Sequence, residues 1–385
     1  MDVRRFILLY LQKNQADMRY LFHLGHPAHF HLFKNSIHSL KTEGHKVDIM
    51  IKKKDILEDL LQASGFDYVN VLPKGRADNK LALAWSVLKT DLKIMAYCLR
   101  RRPNYLVGTS IAIGHVGRVL RITNINVNED DADVVPLYSK LSYPFANLIL
   151  APTTCSNGKW EYKSLKYPGY HELAYLHPKV FSANRAKATK VLGFEGPYFI
   201  MRFAKLNAHH DDGIKGITDK LALQIIDLLK PHGRIYITSE REFDDNRLEQ
   251  YRVKISPIDM HDVMAFASLY IGDSQTMAAE AGVLGVPFIR YNDFVGRIGY
   301  LKELEEVYNL GIGLRPGEPR ELVEAVQSMM NNFDTNIFDK RRAQMLNEKI
   351  SLSEFITNLL LNYKQELEEF NREGKSYFSK YIYQI

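Results

Sequence analysis

The chain has few cysteines, two in 385 residues, and Cys98 and Cys155 stand too far apart to form a spacing motif. That excludes a disulfide framework and a cysteine zinc site, and it fits a reducing cytoplasm. Long apolar runs are also lacking. The opening "MDVRRFILLYLQKNQAD" is apolar only over residues 6–11 and offers no small-residue cleavage site, so it fails as a signal peptide. The stretch "LALAWSVLKTDLKIMAYCL" (81–99) carries Lys89, Asp91 and Lys93, each costing about 2.5–3.5 kcal/mol at a bilayer centre, and it does not span. Repeats and low-complexity tracts are missing. Neither sign of charge dominates: 51 basic and 45 acidic residues interleave, leaving +6. So mild an excess points to anionic small ligands or a membrane surface before nucleic acid. What the chain does have is 46% hydrophobic residues, enough for about two domains with full cores.

From Tyr20 the pattern reads strand (20–24), helix (27–43), strand (47–51), helix (54–64) and strand (68–72), with Gly44 and Gly65 as stops. A helical stretch (80–101), a strand (104–110), a helix (112–120) and a strand (124–127) follow. Such alternation means right-handed βαβ units on a parallel sheet. Residues 151–197 are punctuated by proline and glycine, which marks a domain boundary. Alternation restarts at "YFIMR" (198–202): helix 217–230, strand 234–239, short strand 252–256, helix 259–268, strand 269–273, helix 276–284 and strand 286–290. Terminal helices at 319–331 and 338–370 lead into a Tyr-rich tail. The expected organisation is an extension (1–17), a first Rossmann-like domain (18–165), a second (166–355), and a final helix and tail (356–385). The fold class is α/β, two doubly wound domains facing across a cleft.

In "SPIDMHDVMAFASLYIGDSQTMAAEAGVLGVPFI" (256–289) a strand ends at Gly272-Asp273 and a helix starts near Ser274. The amides of Gln275, Thr276 and Met277, with the positive end of the helix dipole, predict an anion site, and Ser274 can add its hydroxyl. Glu280, one turn further on the same face, suits the two hydroxyls of a ribose. Phosphate followed by ribose means a nucleotide. Arg202 and Arg241, near the ends of two strands, read as phosphate partners. In "LFHLGHPAHFHLFKNSIH" (21–38), Pro27 suits a first helical turn, so His26 and His29 sit at the carboxyl edge of the first sheet. His29, with His26 as understudy, is the candidate general base; His23 reads as a strand residue, and His31 and His38 as exposed helix positions. "HPAHFH" and "NAHHDD" (207–212) lack helical His-x-x-x-His spacing, and no metal site is expected. Glu129, Asp130 and Asp131 follow a first-domain strand and supply carboxylates for proton transfer.

The 256–289 stretch resembles the nucleotide-sugar signature of GT-B enzymes, in which a small-residue loop, a helix and a Glu precede Gly285-x-Pro287. Non-hydrolysing UDP-N-acetylglucosamine 2-epimerases and the lipid-linked N-acetylglucosaminyltransferase of peptidoglycan synthesis share that layout, and His29 falls where the latter has a His before its first helix. "GHPAHFHLFKN" (25–35), "GYHELAYLHP" (169–178), "MRFAKLNAHHD" (201–211), "SERE" (239–242) and "NDFVGRIGYLKELEEVYNLG" (292–311) resemble, nearly end to end from Met18, a prokaryotic GT-B-like domain of unknown function. Where GT-B relatives commonly carry two glycines, this chain has Ser274-Gln275.

The resemblance implies a metal-independent GT-B glycosyltransferase in surface-polysaccharide or glycolipid assembly. Its donor, UDP-linked by expectation, would lie on the second domain, and a lipid-linked or glycan acceptor on the first. No cofactor beyond the nucleotide-sugar substrate is expected. The alternatives are a UDP-N-acetylglucosamine 2-epimerase-like enzyme, which the Glu129–Asp131 cluster keeps open, and a non-catalytic nucleotide-sugar-binding protein. The basic run "CLRRRPNY" (98–105), after an amphipathic stretch, adds an expectation of peripheral contact with the inner membrane face.

Overall fold

The computed structural model describes residues 17–52, 56–72, 80–204, 216–317, 319–331 and 334–383. Most of the expected extension and all of "NAHHDD" lie outside these residues. Short runs of Val, Ile, Leu and aromatic residues, buried on both faces, make strands that need helices on either side. The first seven are β1 (Arg19–Leu24), β2 (Lys46–Lys52), β3 (Val69–Leu72), β4 (Tyr105–Gly108), β5 (Thr123–Val127), β6 (Leu148–Pro152) and β7 (Ser164–Tyr167). They form one parallel sheet in the order 3-2-1-4-5-6-7. A second parallel sheet, ordered 12-11-10-8-9, holds β8 (Tyr198–Phe203), β9 (Arg234–Ser239), β10 (Leu269–Gly272), β11 (Phe288–Tyr291) and β12 (Gly311–Leu314).

The two orders fix where ligands can bind. In the first sheet the chain winds outward from β1 to β3 and then returns to β4 on the other side of β1. In the second it winds from β8 to β9 and returns to β10 beside β8. Each reversal leaves a crevice at the carboxyl ends of the two strands. Gly108 closes the first crevice: its φ is +152°, and a Cβ there would stand 2.4 Å from the His23 carbonyl oxygen. A side chain would push β4 off β1.

Several elements differ from the sequence expectation. Strands β6 and β7 occupy the end of the first domain, partly inside the stretch whose prolines suggested a boundary; Pro152 itself ends β6, where its missing N–H costs little. "RVKIS" is not a strand, because it makes only a single bridge, Ile237 with Arg252, before the chain turns away. The expected helix 338–370 is three helices, Thr335–Glu348, Leu352–Leu361 and Tyr363–Glu373. The last two return to the first domain. Tyr20 donates its hydroxyl to the Leu360 carbonyl at 2.9 Å, Ser36 donates to the Ser353 carbonyl at 3.2 Å, and Tyr363 packs against Tyr105. One apolar cluster runs through both sheets' helices, from Phe22 and Phe33 to Ala278 and Phe288.

Candidate functional site

At the second crevice, β10 delivers Asp273 and then Ser274. Ser274 is extended (φ −80°, ψ 124°) and its Oγ accepts from the Met277 amide at 3.4 Å, which caps the helix Gln275–Leu284. The cap therefore uses one of the three amides that the sequence assigned to an anion; those of Gln275 and Thr276 lack intrahelical acceptors by position. Residues 274–277 are partly exposed at this end. Asp273 is buried, with Oδ1 accepting from the Ala204 amide at 2.6 Å and Oδ2 without a partner. Burial pushes its carboxyl up to about 6. Arg202, at the end of β8, pairs with Glu240 and keeps a buried Nε with no partner. Arg241 is held by Asp219, 2.7 Å from its Nη1, and by the Ile217 carbonyl at 2.9 Å, covers the Phe203 ring, and lies within electrostatic reach of Asp273.

At the first crevice, His26 caps the helix Pro27–Thr42: its Nδ1 accepts from the Ala28 amide at 3.2 Å, ahead of a proline whose φ is preset for a first turn. His29 Nδ1 accepts from the Gly25 amide at 3.1 Å. Both rings are partly exposed, with centroids 6.0 Å apart. His31 is not the exposed residue that the sequence suggested. It is buried, with its ring 4.9 Å from that of His261 and 5.1 Å from that of Tyr175. That contact brings the first domain's opening helix against the second domain. His38 is exposed, and His23 is a buried strand residue 2.5 Å from Ser110 Oγ.

The segment between the sheets supplies the rest of the junction. Glu280 is buried; its Oε1 accepts from the Tyr175 hydroxyl at 2.9 Å and lies 3.0 Å from His261 Nε2, while Oε2 takes part in neither bond. Glu129 accepts from the His171 amide at 3.0 Å and stands 3.2 Å from His171 Nδ1. Burial, then the charge of Asp130, holds the Glu129 carboxyl well above the usual range, while burial pushes the His171 imidazole down to about 3, leaving it neutral. Burial likewise raises Asp130. Asp131 is spent on structure: it accepts from Ser156 at 2.7 Å and, across the domains, from Gly299 at 3.0 Å. Gly299 is required there, since a Cβ would meet the Thr154 carbonyl oxygen at 2.1 Å. Among the described residues no cluster of three or more His, Cys, Asp or Glu is arranged to hold a metal ion, and no helix is long and apolar enough to cross a membrane.

Residues 21–295, most of the chain, match the family model described as Protein of unknown function (DUF354). The chain belongs to the DUF354 family. A comparison with curated proteins finds no match. Among solved structures, a protein assigned as a UDP-N-acetylglucosamine 2-epimerase from Listeria monocytogenes superposes with a TM-score of 0.68 at 12% identity, over 91% of this chain and 98% of that one. The Neisseria meningitidis UDP-GlcNAc 2-epimerase bound to UDP-GlcNAc gives 0.63 at 13%, over 89% and 100%. The spinosyn rhamnosyltransferase SpnG, complexed with spinosyn aglycone, gives 0.58 at 14%, over 88% and 99%. This DUF354 chain accordingly has the fold shared by these GT-B epimerases and glycosyltransferases.

The first crevice carries His26 and His29 and the second carries Asp273, Ser274, Gln275, Thr276, Met277 and Arg202; Glu280 joins Tyr175 and His261 at the junction, and Glu129 and Asp130 follow the end of β5. Arg241 and Asp131 stand in ion-pair and strut roles beside this group. Sequence reasoning missed His31, His171, Glu172, Tyr175 and His261 in the DUF354 chain. A signal for some of them was present: in "GYHELAYL" a His-Glu pair lies between tyrosines and leucine, and polar groups embedded in apolar sequence are either satisfied or functional.

Proposed function

We propose that this protein is a glycosyltransferase that uses a UDP-linked sugar and needs no cofactor, acting in surface-polysaccharide or glycolipid assembly. The observation carrying this reading is that the two domains meet where His31 of the first helix stands against His261, with a capped helix N-terminus at the end of β10 and partly exposed imidazoles at the end of β1. A diphosphate leaving group would sit on the amides of Gln275 and Thr276, where the helix dipole stabilises developing negative charge. Arg202, at the end of β8, has an Nε with no partner and would add a guanidinium donor, and Glu280 Oε2 would be the acceptor for ribose. His29 would take the proton from the acceptor hydroxyl as the sugar's anomeric carbon arrives from the other domain. The solved relatives named with UDP-GlcNAc and with an aglycone support a nucleotide-sugar substrate and a separate acceptor.

A second reading, epimerisation, is favoured by Glu129 and Asp130, whose raised carboxyls can hold and return a proton at a sugar carbon. NMR of UDP-N-acetylglucosamine incubated with the protein in deuterated water separates the two. Deuterium at C2 without acceptor means epimerisation; UDP release only on adding acceptor means transfer; UDP binding with neither makes the protein a non-catalytic binder.

The proposal includes peripheral attachment to the inner membrane face. Trp85, Leu88, Leu92 and Leu99 are exposed, and their spacing keeps them on one side of the helix Lys80–Arg101. His115, 2.7 Å from Asp91 and 3.0 Å from the Leu141 carbonyl, ties exposed Leu137 and Leu141 alongside. Lys89, Arg100, Arg101, Arg118 and Lys140 are exposed on the same helices, and that charge complements anionic lipid.

A further inference from the structure

Glu172 lies in the middle of the domain junction, on the short turn His171–Ala174 that packs against the helices Pro27–Thr42, Gln275–Leu284 and Leu352–Leu361. It is 1% exposed, and neither carboxyl oxygen has a hydrogen-bond partner. Its neighbour His171 is also buried and turns Nδ1 to Glu129, while Nε2 has no partner. A buried polar group left in this state costs free energy whether charged or neutral. Other carboxyls of the junction are served. Glu280 has Tyr175 and His261, Glu303 has Tyr170 and, at 2.7 Å, Lys349, and Glu129 has His171. Glu172 lies within electrostatic reach of Glu129 in the first domain and of Glu280 on the capped helix, and the second domain's Tyr300 lies within reach of Glu129, Glu172 and Asp130.

The ligand class follows from that company. The side chains that reach Glu172 are carboxyls, Glu129 and Glu280, so the place offers a phosphate no ion-pair partner, and no metal-holding cluster exists among the described residues. An uncharged polyol brings hydroxyls that both donate and accept, and it adds no charge. We propose that Glu172 and His171 form the sugar subsite of this protein, with a ring hydroxyl bonded to the Glu172 carboxyl and another donating to His171 Nε2. Glu172 is then a residue that touches substrate, on a turn packed against the helix Gln275–Leu284 that would hold the nucleotide end. The inference rests on the nucleotide-sugar reading and deepens it.

The test is calorimetric titration of UDP and of UDP-N-acetylglucosamine, UDP-glucose and UDP-galactose into wild type, Glu172→Gln and Glu172→Leu, with thermal melts of each. Expected in both variants are unchanged UDP affinity, weakening of the best UDP-sugar by about tenfold, and melting temperatures at or above wild type, since the substitutions relieve an unpartnered buried carboxyl. The inference is overturned if the Glu172→Gln protein binds that UDP-sugar as wild type does. It is also overturned if the variants melt lower and lose UDP and UDP-sugar in equal ratio, which marks a structural residue. Failure of wild type to bind UDP at all overturns the nucleotide-sugar reading itself.

Discussion

Asp273→Asn tests the second crevice through stability alone. Asp273 is buried beside β8, with Oδ1 on the Ala204 amide at 2.6 Å and Oδ2 unpartnered, and its carboxyl is raised from 3.8 to about 6. Its folded value lies above its unfolded one, so the folded state binds the extra proton between them. The group therefore costs nothing below the unfolded value, and stability falls as pH rises from about 4 to about 6. Above that window the full difference of about two pH units is felt, a penalty of about 3 kcal/mol; at pH 4.5 it is about 1 kcal/mol. Asparagine keeps the acceptor for Ala204 and cannot ionise. Urea denaturation should show Asp273→Asn more stable than wild type by about 2–3 kcal/mol at pH 7.5, shrinking to about 1 kcal/mol at pH 4.5. A gain that does not change with pH, or a loss at pH 7.5, refutes the reasoning.

Glu280→Ala should cost about 2–4 kcal/mol in chemical denaturation, because it strands the Tyr175 hydroxyl and His261 Nε2 in a buried place, whereas Glu280→Gln, which keeps one acceptor, should cost about 1 kcal/mol. His29→Ala should lower turnover by about 10²–10⁴-fold with UDP affinity intact, as steady-state kinetics and calorimetry together would read. The combined change Trp85→Ser, Leu88→Ser and Leu92→Ser should abolish most co-sedimentation with phosphatidylglycerol vesicles and leave the melting temperature unchanged; sedimentation that is indifferent to anionic lipid contradicts the membrane face.

How far the sequence reveals this molecule follows from what each signal depends on. The βαβ periodicity and the glycine stops are local, so the first three strands, the helix after Pro27 and the β10–helix–β11 unit were legible. The strands β7 and β12 were not: "SLKY" is a four-residue edge strand with alternating burial and "GIGL" is half glycine, and both become strands only because a neighbour offers its edge. The candidate residues at strand ends could be placed because a carboxyl-edge position follows from topology. His31 could not, since it is buried by Tyr175 and His261, far along the chain, and helical periodicity alone reports only the packing against its own sheet. The Arg241–Asp219 ion pair was not legible for a related reason: which carboxylate a guanidinium meets is decided by a tertiary contact.

Whether a nucleotide diphosphate sits on the N-terminus of Gln275–Leu284 is decided by Ser274→Asp. Aspartate serves as a helix cap as well as serine does, so the helix that begins after residue 274 keeps its start, but a carboxylate now occupies the edge meant for phosphate. Titration calorimetry with UDP should find binding to wild type and at least about tenfold weaker binding to Ser274→Asp, with the variant's melting temperature unchanged. Equal affinity in the two proteins, or no UDP binding by wild type, contradicts the account.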